Sequence, residues 1–345
     1  MRKISDESVV FIVGASRSGT TLLQMSLNAH PALSICGEFH FFDQICNFKQ
    51  NIPSLSKNEN VEYLKSQLLK SFGMQYIKDA DTVVDHASNA LMTMQETERS
   101  YEAFFNELII YYKINSNAAF GGEKTPETVR FLEDLLILYP NAKIIHIIRD
   151  PRAVVASSLK LPLNSKSILI HAATWRSDVY AGLRFTNKRP DKCKPVLYEN
   201  LVTKPRAVLE ELCAFIGVPF DEKMMSYQST AASNIKNEPW KLGTLKGFYD
   251  SSISKWQIEL EPNDIYLVEL FTSKILEQLG YTKSDCKHKM KAILSLPQEV
   301  YKLLKYKIKK EQWAREDTYT THFSNARVAA NLVRSFLFNS FLFTK

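Results

Sequence analysis

The chain predicts a three-layer α/β/α fold built on a central parallel sheet. Two segments carry that expectation. Val9 to Val13 is a short β-branched apolar run that passes through a Gly/Ser turn into a helical pattern beginning at Thr20. Ala142 to Ile148 is a second apolar run, and it leads straight into Arg149-Asp150-Pro151 and another helical pattern. Continuous apolar runs of this length suit strands buried on both faces, and a strand running directly into a helix is the unit from which parallel sheets are assembled. Pro195 to Leu197, followed by Tyr198-Glu199-Asn200-Leu201, repeats the pattern, with Leu209, Leu212, Phe215 and Ile216 at helical spacing before a stop at Gly217.

The first turn reads Gly14-Ala15-Ser16-Arg17-Ser18-Gly19-Thr20-Thr21. Free N–H groups at the start of a helix, the positive end of its dipole and the Arg17 guanidinium all favour a bound oxyanion. The spacing from Gly14 to Gly19 to Thr21 is that of a P-loop, so the sheet is expected to be P-loop-like. A loop that uses ATP or GTP places lysine after its last glycine, and here that position is Thr20. The substitution argues against nucleotide hydrolysis and for a related anion cradle, with a P-loop nucleotide or small-molecule kinase as the alternative.

Ser16-Arg17-Ser18-Gly19-Thr20-Thr21-Leu22 resembles the 5′-phosphosulfate loop of the sulfotransferase family, usually Pro-Arg-Ser-Gly-Thr-Thr-Leu, with Ser16 in place of proline. The resemblance implies 3′-phosphoadenosine 5′-phosphosulfate as co-substrate, with Arg17, Ser18, Gly19, Thr20 and Thr21 on its 5′ end. After His30-Pro31 the chain reaches Cys36-Gly37-Glu38, similar to the tyrosylprotein-sulfotransferase-like branch, in which a glutamate at this point is the general base. That role falls on Glu38, and a carboxylate suits it because an attacking hydroxyl must lose its proton. His40 is a second candidate base two residues away. In Phe120 to Thr128, Thr125 reads as an N-cap with Pro126 at the first helical position. The resemblance gives Lys124 a place beside the transferring group, where a cation offsets charge on the departing oxygen. The Arg149 to Ser157 stretch is similar to the family's 3′-phosphate site, in which these two residues grip the phosphate. Tyr198 and Lys246 map onto nucleotide contacts, and Ser233 aligns with a family serine. The catalytic set is therefore Glu38, Lys124 and Arg17, and the scheme needs no metal.

With 345 residues, 45% of them hydrophobic, the chain can bury a large core, and it holds no run of apolar residues long enough to span a membrane. Five cysteines without metal spacing fit reduced thiols, and no secretory leader is legible before the first strand, so the expected compartment is cytoplasmic. The net charge of +7 suits an anionic donor and an anionic membrane equally. Residues 1–284 are expected to form the catalytic domain, with a helical insertion at about 42–118 that shapes the acceptor pocket. Residues 285–345 form a basic, partly apolar helical extension suited to peripheral membrane contact. The expected partners are a hydroxyl-bearing acceptor (carbohydrate, lipid-linked glycan, small molecule or peptide tyrosine), the membrane surface and a second copy in a homodimer. Nucleic acid is not expected, because no recognised binding module is present. An inactive nucleotide-binding, membrane-associated protein is a further alternative, and the intact Glu38, Lys124, Arg149 and Ser157 weigh against it.

Overall fold

The computed structural model describes residues 9–71, 74, 77, 79–161, 165, 167–228, 239–284, 294–299, 301, 302 and 305. Ser233 and nearly all of the 285–345 extension lie outside the described residues. The chain divides into two compact units. The first takes its described residues from Met1–Gly14, Gly19–Ile147 and Gly182–Tyr249, the second from Ala15–Ser18, Ile148–Ala181 and Asp250–Lys345.

The first unit holds the sheet. Its strands are β1 (Val10–Gly14), β2 (Leu33–Cys36), β3 (Phe120–Lys124), β4 (Lys143–Ile148) and β5 (Cys193–Leu197), in the order β2-β3-β1-β4-β5. The β1–β3, β1–β4 and β2–β3 pairings are parallel, so the expected α/β class with a central parallel sheet is what the chain adopts. Every residue of β1 is buried, as its unbroken apolar run requires. The strand order reverses beside β1, and open sheets of this kind place ligands beyond the strand ends at such a reversal.

Five helices between the first turn and β3 belong to this unit: α1 (Thr20–Asn28), α2 (Phe41–Asn51), α3 (Asn58–Leu69), α4 (Ala80–Thr93) and α5 (Tyr101–Asn115). The Ser100 side chain caps α5 by accepting from Ala103 N at 3.0 Å. Val61, Leu64, Val84, Leu91, Phe104 and Phe105 of α3 to α5 join Phe11 and Val13 of β1 in one apolar core. Next come α6 (Leu132–Leu138) and, after β4, α7 (Pro151–Leu159) and α8 (Ile168–Lys188). Beyond β5 lie α9 (Tyr198–Thr203) and α10 (Pro205–Ile216), with Gly217 left-handed at its C-terminus as anticipated.

The second unit packs α7 and the start of α8 against α11 (Ser251–Ser254), α12 (Trp256–Glu259) and α13 (Pro262–Gln278), around Val155, Leu169, Ala172, Trp256, Leu267 and Phe271. Arg152 ties it together: it is ion-paired with Asp150 at 2.6 Å and Glu269 at 2.7 Å, and its guanidinium lies over the Trp256 ring. A buried arginine needs this many partners to offset its desolvation. Among the described residues no helix is long and apolar enough to cross a membrane.

One residue of the sheet sets a pH limit on stability. His146, in mid-β4, is fully buried, and neither ring nitrogen has a hydrogen-bond partner among the described residues. A Cβ added at Gly182 would stand 2.2 Å from the ring, so the imidazole fills the space this glycine leaves. Burial pushes the ring down to about 4 from its ordinary value of 6.5. The unfolded ring therefore takes up a proton that the folded ring refuses between those limits. Its contribution to stability is complete above pH 6.5 and shrinks by up to about 3 kcal/mol as the pH falls to 4. Urea midpoints at pH 7.5 and 4.5 should separate by less in His146→Leu than in the parent chain. An identical acid slope in both proteins would remove the ring as its source.

Candidate active site

The loop after β1 begins the site. The Gly19 N-cap offers no side chain to the first turn of α1, and no acidic residue sits in that turn, so its amides are not competed for by a local carboxylate. Thr20 is buried and Thr21 half-buried at the start of this helix. Gly19 has φ +95°, and a Cβ there would stand 2.3 Å from the Tyr198 ring. Tyr198, at the start of α9 and buried, thus packs directly on the loop's last glycine.

Arg17, Ser18, Arg149 and Ser157, four of the expected donor-binding residues, belong to the second unit. Arg17, itself left-handed at φ 71°, donates from Nε to Ser157 Oγ at 3.1 Å. Arg149 donates from Nη1 to the Arg17 carbonyl at 3.3 Å and from Nη2 to the Ser252 carbonyl at 2.8 Å, while Trp175 Nε1 donates to the Arg149 carbonyl at 2.9 Å. Arg17 and Ser157 therefore meet through their side chains, and Arg149 joins them through the Arg17 carbonyl. The Ser18 hydroxyl is buried with no hydrogen-bond partner among the described residues. An orphaned hydroxyl in an anion-favouring turn fits a phosphate or sulfate oxygen.

The first unit joins the other two catalytic candidates. Lys124 ends β3, is almost completely buried, and its Nζ donates to Glu38 Oε1. Glu38 remains partly open, with its side chain 25% exposed. The Glu38–His40 segment is fastened to the end of β3: Phe39 N donates to Glu123 Oε1 at 3.3 Å and His40 N donates to Thr125 Oγ1 at 3.4 Å. Thr125 in turn donates its hydroxyl to Glu123. This corrects the capping expectation. Thr125 does precede a short 3-10 helix with Pro126 first, but its side chain makes no cap bond there. A buried carboxylate needs a donor more than an already short helix needs a cap. Burial pushes Glu123 up to about 7, only partly countered by Thr125, Phe39 N, His40 and Lys124.

His40 lies 3.5 Å from Glu38 Oε2 through Nε2 and 3.9 Å from Asp43 Oδ2 through Nδ1. Burial alone would lower its ring, but Asp43 and Glu38, with Glu127 behind them, hold it up to about 10. A ring kept protonated through neutral pH accepts no proton, which leaves Glu38 as the better base of the two candidates. Lys246 is exposed at the end of a 3-10 helix spanning Pro239–Lys246. No side-chain hydrogen bond joins it, Thr20 or Thr21 to another candidate among the described residues.

Comparison with known proteins places the chain in a family. The sequence model described as the sulfotransferase family matches residues 9–222, well over half of the chain. The chain belongs to the sulfotransferase family. Among its relatives, protein-tyrosine sulfotransferase 1 of Danio rerio is 26% identical over 286 residues, spanning 80% of this chain and 73% of the relative. Protein-tyrosine sulfotransferase 1 of Homo sapiens is 25% identical over 287 residues, spanning 80% and 70%. The solved sulfotransferase domain from the Synechococcus PCC 7002 olefin synthase superposes with a TM-score of 0.59 at 22% identity, over 82% of this chain and 97% of that one, and it shows the shared fold.

Several residues of this sulfotransferase's candidate site were not legible as such. Glu123 and Thr125 lie within a stretch already marked for Lys124, yet nothing local showed that they would hold the Glu38–His40 segment by its backbone. Asp43 and Glu127 reach His40 from separate elements. Ser252 contributes a carbonyl, which no sequence motif reveals.

Proposed function

We propose that the protein transfers a sulfuryl group from 3′-phosphoadenosine 5′-phosphosulfate to an acceptor hydroxyl, with Glu38 as general base. Membership of the sulfotransferase family supports the reaction class. The observation that supports the assignment of roles most directly is the Glu38–Lys124 contact, which sets the expected base against the expected cation. The acceptor oxygen forms a bond to sulfur as the bond from sulfur to the bridging phosphate oxygen breaks. Glu38 takes the acceptor proton, and adenosine 3′,5′-bisphosphate leaves. Lys124 exchanges its Glu38 partner for the departing oxygen, and Arg17 with the amides at the start of α1 offsets charge on the 5′ phosphate. Fixed cations and donors supply this stabilisation, and no step calls for a metal. Arg149 and Ser157 are assigned to the 3′ phosphate, and Tyr198 and Lys246 to the nucleotide.

The protein-tyrosine sulfotransferase relatives support a hydroxyl of the phenolic type, and a carboxylate base suits sugar and lipid-linked hydroxyls equally well. The catalytic domain is assigned to residues 1–284. The basic extension at 285–345 is assigned to peripheral membrane contact or pairing with a second copy, on its composition. A reducing, cytoplasmic setting is consistent with Cys36, Cys193 and Cys213 as buried free thiols. Mass spectrometry of a cell extract incubated with protein and donor should reveal an acceptor heavier by one sulfate. A donor consumed with no sulfated product, or not consumed at all, would refute the transfer.

Arg149→Ala supplies a separate check. Loss of a charge-assisted phosphate contact should weaken adenosine 3′,5′-bisphosphate by about tenfold to a hundredfold in calorimetry. Binding of adenosine 5′-monophosphate should change little. Equal weakening of both nucleotides would contradict the 3′-phosphate assignment.

A further inference from the structure

We propose that His40 is a positioning residue for the general base: its ring, paired with Asp43 and with Glu127 nearby, fixes the Glu38 carboxylate through Oε2 while Lys124 engages Oε1. The inference rests on the reading of Glu38 as base, and it adds a residue whose part in the reaction runs through another side chain.

Four observations converge on it. The ring spans two carboxylates, with Nε2 toward Glu38 at 3.5 Å and Nδ1 toward Asp43 at 3.9 Å. Polar side-chain atoms of His40, Asp43 and Glu127 lie within 4.8 Å of one another, so two carboxylates, one from α2 and one from the 3-10 helix after β3, stand near the ring. The His40 backbone is left-handed at φ 51°, a conformation that costs a non-glycine residue energy and persists only where its surroundings impose it. Here the imposition is visible: Thr125 Oγ1 accepts from His40 N, and Glu123 accepts from Phe39 N, which locks the residues on either side of the Phe39–His40 peptide. The sequence places the strained residue two positions after the base, and the fold turns its side chain back onto it.

The chemistry needs such a device. A glutamate has three rotatable side-chain bonds, and a base is effective only with one oxygen aimed at the proton it removes. The lysine partner is the one the proposed reaction recruits to the leaving oxygen, so Lys124 cannot hold Glu38 throughout. His40 can, because its own partners are carboxylates that take no part in the transfer. The charged groups that face the ring are Glu38, Asp43 and Glu127, with Glu123 and Lys124 of β3 beyond them and Arg130 near Glu127. Three acidic neighbours favour the imidazolium, and a cationic ring is the form that holds a carboxylate.

The test has two arms on the full chain. In the first, histidine ring nitrogens are labelled and titrated by NMR, with His40 assigned by its loss in His40→Gln. The ring should stay protonated beyond pH 8, and Glu38→Gln and Asp43→Asn should each lower its midpoint by about one unit or more. A midpoint near the ordinary value of about 6.5 that neither substitution moves would overturn the proposal. In the second arm, turnover of sulfur-labelled 3′-phosphoadenosine 5′-phosphosulfate is followed as transfer to a tyrosyl peptide together with sulfate released to water. His40→Gln should reduce kcat about tenfold, a part of what a positioned base supplies, and leave binding of adenosine 3′,5′-bisphosphate within twofold. In a Glu38→Gln background it should cost nothing more. The same tenfold loss in both backgrounds would show that His40 acts independently of Glu38 and would end the proposal. If Glu38→Gln alone leaves turnover intact, it is the base assignment that falls, and the ring titration still decides whether the clamp exists.

Discussion

Glu38→Gln is expected to lower sulfuryl transfer by about a hundredfold or more while adenosine 3′,5′-bisphosphate binds as before. The size follows from what a positioned general base contributes, about 10² to 10⁴ in rate. The selectivity follows from geometry. Glu38 contacts Lys124 and lies beside His40, with its side chain 25% exposed, so a neutral isostere keeps the shape and removes the charge and the basicity together. Glutamine also accepts a hydrogen bond from Lys124, so the lysine is not stranded in its buried position with no acceptor. The measurement pairs initial rates with calorimetric titration of the product nucleotide. Loss of nucleotide binding in step with rate would show that Glu38 holds the donor site together and is not the base.

Gly19→Ala is expected to destabilise the fold by about 2 to 5 kcal/mol and to remove most nucleotide binding. Two costs add. An alanine in the left-handed region pays about 1 to 2 kcal/mol, and forcing a methyl group against a packed ring adds about 1 to 3 kcal/mol. The methyl group would stand 2.3 Å from Tyr198, itself buried and anchored at the start of α9, so the ring or the loop must move. Gly217 provides an internal control. Its φ of +94° matches that of Gly19, but nothing lies within 4 Å of the added carbon. Gly217→Ala should therefore show the backbone cost alone in urea midpoints and leave nucleotide binding intact. Equal destabilisation by the two substitutions would mean that the Tyr198 contact has no energetic weight.

The parts of the fold that the sequence revealed are those in which one signal dominates. The apolar runs of β1 and β4 could be nothing but buried strands, and the glycines and prolines after them mark where helices begin. The four residues of β2 carry no such signal, because Leu33-Ser34-Ile35-Cys36 is short and interrupted by a serine. Helix α4 is similarly quiet, since Asp81, Asp85, His86, Ser88 and Asn89 dilute its apolar stripe although Val83, Val84, Ala87 and Leu91 are buried.

The site divides in the same manner. Arg17, Arg149 and Ser157 were recognisable as a set, and in the second unit their side chains and backbone meet. The partners of His40 were not, because Asp43 and Glu127 lie 84 residues apart and only the return of β3 past β2 brings their elements together. The buried carboxylate of Glu123 was hidden for a related reason: in sequence it is one of two adjacent charges, and only burial distinguishes it from a solvated surface residue.

The anion cradle, with threonine where a kinase has lysine, is assigned to a 3′-phosphorylated sulfate donor. Calorimetric titration of the full chain with adenosine 3′,5′-bisphosphate in the presence of a metal chelator, set beside titration with ATP and magnesium, tests it most directly. The expected result is saturable binding of the bisphosphate without metal and no comparable binding of ATP. Magnesium-dependent ATP binding, with no heat from the bisphosphate, would contradict it.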